Sequence, residues 1–183
     1  MNEEYKVIDD FLPQEQFNKI KSLVVNNQSF PWFINNYVVT VGDQSFQDQD
    51  KSWNWYMMNM IYEHPRFNGY SYTYDSPYFN DIGSLFAEEF SKVETFKNWI
   101  RIKANLFPCT EEVKEHQAHY DYKFSHKAAV FSLNTCDGYT TMSNGDKVDS
   151  VENRVVIFNG SQYHKSSTTS NSKQRLNFNF NWF

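Results

Sequence analysis

The chain predicts an α+β fold, a jelly roll with N-terminal helices packed on one sheet. Two observations set the class. Helix-period apolar stripes fall before Trp99, and alternating strand-like segments separated by turns fall after it. A third concerns the core: 17 Phe, 12 Tyr and 5 Trp among 183 residues supply enough aromatic surface to order the chain.

The first strand candidate is Tyr5-Lys6-Val7-Ile8. Pro13 suits a first helical turn, and Phe17, Ile20, Leu23 and Val24 stripe one face of a helix of about 14 residues. From Ser29 to Tyr74 no helical period appears, which predicts irregular structure and short strands. Asn80 or Asp81 can cap a second helix, whose face carries Ile82, Leu85, Phe86, Phe90, Val93 and Phe96. Strands follow over Ile100–Leu106, Ala128–Asn134, Arg154–Phe158 and Arg175–Trp182, with turns at Asp137-Gly138 and Asn144-Gly145. In the last strand Leu176, Phe178, Phe180 and Trp182 alternate with Arg175, Asn177, Asn179 and Asn181. That polar face fits either a solvated sheet exterior or a barrel interior that holds a polar ligand.

Composition narrows the function classes. Hydrophobic residues make up 40% of the chain and charged ones 21%, an ordinary soluble balance. The net charge of −5 argues against a nonspecific nucleic-acid coat, which needs a basic surface. No run approaches the ~18 apolar residues of a membrane helix. The start, MNEEYKVIDDF, has no apolar signal core. Cys109 and Cys136 suffice for no disulfide framework and suit a reducing compartment, so a cytoplasmic protein is expected. Without repeats or low-complexity tracts, residues 1–183 read as one domain.

The chemistry centres on histidine. His119-Tyr120-Asp121 places an imidazole and a carboxylate on one side of an extended segment, and His164 follows 45 residues later, after a strand. Two His and one carboxylate on adjacent strands can take one face of an octahedral metal, the facial triad of non-haem Fe(II). Arg175, 11 residues beyond His164, can clamp a carboxylate with two parallel hydrogen bonds. His116 with His119 forms His-x-x-His, but no fourth zinc ligand has suitable spacing, so His116 is expected near the site rim or in solvent. His64 reads as a loop residue, His126 as a local hydrogen-bonding group and Arg154 as a structural ion-pair residue. Arg101 and Lys103 share a strand face that points either into the site or outward. Trp53, Trp55 and Tyr56 suit a substrate lid or, more commonly, core packing.

KANLFPCTEEVKEHQAHYDY resembles the metal-binding segment of 2-oxoglutarate/Fe(II) oxygenases of the prolyl 4-hydroxylase-like group. FSLNTCDGYTTM, NRVVIFNGSQYHKS and KQRLNFNFNWF resemble that group's later segments in the same order, and YKVIDDFLPQEQFNKI its first strand and helix. The resemblance implies a double-stranded β-helix in which His119, Asp121 and His164 ligate Fe(II). It also implies that Arg175 pairs with the distal carboxylate of 2-oxoglutarate, with Thr140, Asn105 and Asn177 as further co-substrate contacts. Two departures stand out: prolyl 4-hydroxylases proper usually carry Lys at the position of Arg175, and the aromatic often found six residues on is Asn181 here. The implied activity is a 2-oxoglutarate- and O2-dependent hydroxylation of a C–H bond, on a peptidyl residue such as proline or on a small molecule rather than a nucleic acid. The other class these residues allow is a non-catalytic, cupin-like jelly-roll module that holds a small ligand. The ordered set His, Asp, His, Arg favours the oxygenase.

Overall fold

The computed structural model describes residues 4–38, 51–68 and 74–183. Within them the chain runs β1 (Tyr5–Ile8), α1 (Gln14–Val24), β2 (Phe33–Asn35), β3 (Tyr56–Glu63), α2 (Pro65–Asn68), β4 (Tyr74–Asp75) and α3 (Phe79–Val93). It continues through β5 (Trp99–Pro108), β6 (Lys127–Ser132), β7 (Tyr139–Thr141), β8 (Lys147–Asp149), β9 (Val155–Asn159) and β10 (Gln174–Trp182). Eight strands form an antiparallel sheet in the order β1-β9-β6-β10-β5-β3-β2, with β4 paired to β3. β7 and β8 form a second sheet. Isolated bridges Thr141↔Lys165, His119↔His164 and Glu115↔Ser167 extend it sideways. Met142 and Val148 pack on Ala128, Val156 and Phe158 of the large sheet, so the two sheets close face to face as a jelly roll.

The period of β10 explains how the layers stack. Its apolar residues face outward onto α1 and α3, whose Phe17, Ile20, Val24, Ile82, Phe86 and Phe90 join the same core. Phe86 stands 4.4 Å from Phe180 and 4.9 Å from Phe131 between ring centroids, and Phe90 stacks on Trp182 at 4.4 Å. The polar residues of β10 face the sandwich interior, where Arg175, Asn177, Asn179 and Asn181 are all buried. This decides between the two arrangements that the alternation allowed.

Several boundaries differ from the sequence reading. α1 spans 11 residues, and Pro13 sits at its N-cap with an extended ψ of 139°, its carbonyl accepting the first helical bond from Phe17. α3 is capped by Tyr78, ahead of Asn80 and Asp81. Aromatic contacts draw its start forward, because Tyr78 packs 4.8 Å from Phe30 and Phe79 stacks 4.5 Å from Tyr62. Phe96 lies beyond the last turn and meets Trp99 instead. The largest difference is β3, eight residues long and paired to β5 with a bulge near Ile61. Its Met, Asn and Tyr residues touch protein on both faces, which erases the alternation that marks a strand. Of the supposed irregular stretch, residues 39–50 and 69–73 lie outside the described residues.

Phe86 is fully buried and touches rings from β6, β10 and α3. Phe86→Ala is therefore expected to destabilise the protein by about 3–5 kcal/mol, read from the urea midpoint. A loss below about 1 kcal/mol contradicts the proposed helix–sheet core.

Candidate metal centre and its cavity

His119 and His164 form an antiparallel pair that exchanges both backbone bonds: each N–H donates to the other's carbonyl, at 2.9 and 2.8 Å. Their rings consequently lie side by side, with centroids 4.4 Å apart. Two residues on, the Asp121 N–H donates to the Gly160 carbonyl at 2.9 Å, bringing the carboxylate to the same place. One ligand atom from each of His119, Asp121 and His164 lies within 4.8 Å of the others. Both imidazoles are oriented alike. Nδ1 of His119 faces the Gln117 carbonyl at 3.4 Å and Nδ1 of His164 faces the Gln162 carbonyl at 3.1 Å. A carbonyl only accepts, so Nδ1 carries the proton and Nε2 keeps its lone pair for a metal. Burial, then His164, pull the pKa of His119 down to about 3, which leaves it neutral at pH 7.

The carboxylate is held from both sides by residues that sequence reading did not assign. Arg101 donates to Asp121 Oδ1 at 2.7 Å, while Asn181 and Asn179 donate to Oδ2 at 2.7 and 3.3 Å. Burial alone pushes the Asp121 carboxyl up; Arg101, the two histidines and Asn181 outweigh it and hold the group well below the usual carboxylate range. Asn181 is itself steered. Its amide also reaches Nε2 of His126 at 3.2 Å, and His126 Nδ1 donates to the Phe124 carbonyl at 2.9 Å. The His126 ring fits because residue 160 is Gly: a Cβ there would sit 2.2 Å from His126 Nε2. The signal for these partners was register. Asn181 pairs with Arg101 and Asn179 with Lys103, which puts the two cations on the interior face of β5.

At the other end of the cavity Arg175 is 1% exposed. It donates from Nε to Ser150 Oγ at 2.6 Å, from one terminal nitrogen to the Ser167 carbonyl at 3.2 Å, and from the other to Thr140 Oγ1 at 2.9 Å. All three acceptors are neutral, and among the described residues no carboxylate pairs with this guanidinium. Burial lowers it to about 10, so it remains charged at pH 7. Gly138 lets its stem pass, since a Cβ there would lie 2.6 Å from Arg175 Cδ. Between Arg175 and the triad, Asn105 Nδ2 donates to Asn177 Oδ1 at 3.0 Å. His119, Asp121, His164, Arg175, Thr140, Asn105 and Asn177 all line this one cavity, with Lys103, Asn179 and Tyr56 among its other walls.

His116 is neither at the rim nor solvated: it is 2% exposed, lies between Trp53 and Phe107 at 5.6 and 5.3 Å, and bonds Ser166 Oγ through Nδ1. Burial, then the charge of Arg175, take its pKa down to about 3. Tyr56 is buried, lines the cavity and stacks on Phe107, whereas Trp53 and Trp55 are half-buried. Arg154 pairs with Asp9 outside the site. His64 lies in the short loop before α2, and Cys109 and Cys136 are free thiols. Among the described residues no helix is long and apolar enough to cross a membrane.

Comparison with solved structures places this architecture. A prolyl hydroxylase from Trichoplax adhaerens, solved with a peptide fragment of the hypoxia inducible factor oxygen degradation domain, superposes with a TM-score of 0.64 at 13% identity, covering 100% of this chain and 84% of that one. A 2OG-Fe(II) oxygenase family oxidoreductase from Burkholderia pseudomallei gives 0.65 at 10% identity, over 98% of this chain and 84% of that one. A Pseudomonas putida prolyl-4-hydroxylase gives 0.59 at 11%, over 99% and 93%. No family model and no curated protein sequence matches the chain. What the chain shares with these proteins is the fold: a jelly roll of the kind found in prolyl hydroxylases and 2-oxoglutarate/Fe(II) oxygenases.

Proposed function

We propose that the protein is a 2-oxoglutarate- and Fe(II)-dependent dioxygenase that hydroxylates a C–H bond. The observation that carries this reading is the pairing, in one cavity, of a His-Asp-His triad with a buried arginine that lacks an anionic partner among the described residues. The donor set fits the metal: two imidazole nitrogens and one carboxylate suit Fe(II) and leave coordination positions open. The arginine fits the co-substrate, because a buried guanidinium satisfied only by hydroxyls and a carbonyl is completed by a carboxylate. When bound, the metal and 2-oxoglutarate supply the oxidising chemistry.

The chain's own residues do the positioning. Arg175 and Thr140 hold the distal carboxylate of 2-oxoglutarate; the Thr140 hydroxyl, which accepts from Arg175, keeps its own proton to donate. Asn105 and Asn177 line the route from there to the triad. Arg101 and Asn181 fix the rotamer of Asp121 and keep it ionised. Phe107, Val130 and Tyr56 exclude water from the cavity walls. For the substrate, a peptidyl side chain is the favoured class, since the Trichoplax neighbour was solved with a peptide, and the net charge of −5 disfavours a nucleic acid.

The test is an anaerobic absorption spectrum of the Fe(II)-loaded protein before and after addition of 2-oxoglutarate. A visible charge-transfer band, absent in His164→Ala, is expected; no band together with no bound iron overturns the reading. Arg175→Ala is expected to raise the 2-oxoglutarate dissociation constant about 10- to 100-fold while iron binding persists. Arg101→Met is expected to weaken metal affinity about 10- to 100-fold, measured by competition with a chelator.

A further inference from the structure

We propose that Lys103 is a second carboxylate-binding cation of the cavity, which meets the carboxylate of 2-oxoglutarate that lies nearer the triad. The inference rests on the oxygenase reading above and adds a residue that the resemblance did not assign.

Among the described residues, two cations line the cavity without an anion. Arg101 lies behind Asp121 and is neutralised by it. Arg175 has only neutral acceptors. Lys103 is partly buried, and among the described residues it forms no ion pair and no hydrogen bond; its Nζ lies 5.6 Å from the centre of the Tyr56 ring. A cavity with two unpaired positive charges complements a dianion.

Their placement matches the two ends of one molecule. Along the interior face of β5 and β10 the side chains form rows: Phe107 with Arg175, Asn105 with Asn177, Lys103 with Asn179, and Arg101 with Asn181. Arg175 and Lys103 are two rows apart, about 13 Å along the strands at ~3.3 Å per residue. A lysine and an arginine rooted that far apart can hold the two ends of a five-carbon dicarboxylate. The Lys103 row also adjoins the one that clamps Asp121, which sets it nearer the triad than the Arg175 row.

The experiment is a calorimetric titration of Mn(II)-loaded protein with 2-oxoglutarate and with pyruvate, which keeps the oxo-acid end and lacks the distal carboxylate. Lys103→Met is expected to weaken both ligands by the same factor, about 10-fold or more, with Mn(II) affinity and thermal midpoint retained and with Lys103→Arg restoring binding. Arg175→Ala is expected to weaken 2-oxoglutarate and spare pyruvate. Wild-type affinity for 2-oxoglutarate in Lys103→Met overturns the proposal, as does a loss confined to 2-oxoglutarate. If the wild-type protein itself binds no 2-oxoglutarate, the oxygenase reading fails first, and Lys103 with it.

Discussion

The inside of this β-sandwich is polar, and that constraint governs the rest of the molecule. A row of Arg and Asn side chains on the central strand, buried on the interior face, is costly unless each group finds a partner. Partners come from the neighbouring elements: β5 supplies Arg101 and Asn105, the small sheet supplies Thr140, and the loops supply Ser150 and Ser167. Stability then has to come from the opposite face, where the phenylalanines of α3 and β10 interlock. Sheet, helices and cavity thus divide the labour, with the helical side providing cohesion and the sandwich interior left free for chemistry.

The electrostatics around the triad follow from the same economy. Among the described residues Asp121 is the one acidic group that lines the cavity, and Arg101 balances it. Both imidazoles place their protons on backbone carbonyls. A cation held by this set would stay electrophilic toward whatever else coordinates it. Among the described residues, the charges that remain in the cavity are those of Lys103 and Arg175, which attract anions.

How much of this was legible in the sequence depended on what kind of pattern carried it. The alternation of β10 and the i, i+4 spacing of Ile82, Phe86 and Phe90 mark their elements, because one face of each is apolar throughout. Alternation separates two faces without saying which one meets water, so the same reading left Arg101 and Lys103 without a direction; only pairing with Asn181 and Asn179 assigns it. β3 was missed because both of its faces are contacted, and the burial of His116 because Trp53 and Phe107, which enclose it, are remote in sequence. Order and spacing singled out His119, Asp121, His164 and Arg175, and the structure gathers them in one cavity, whereas the support around them depends on cross-strand neighbours.

Residue 160 gathers three of these threads at a single backbone position. Its carbonyl receives the Asp121 N–H, its own N–H donates to the His126 carbonyl at 3.0 Å, and the space beside its Cα is filled by the His126 ring that steers Asn181. Four residues later the chain reaches His164. The glycine therefore works as a bearing on which both halves of the centre are seated. A single methyl group there acts as a wedge, pushing His126 away from Asn181 and shifting the carboxylate without touching any ligand. The seating of the candidate triad is set by volume at a site that carries no functional group at all.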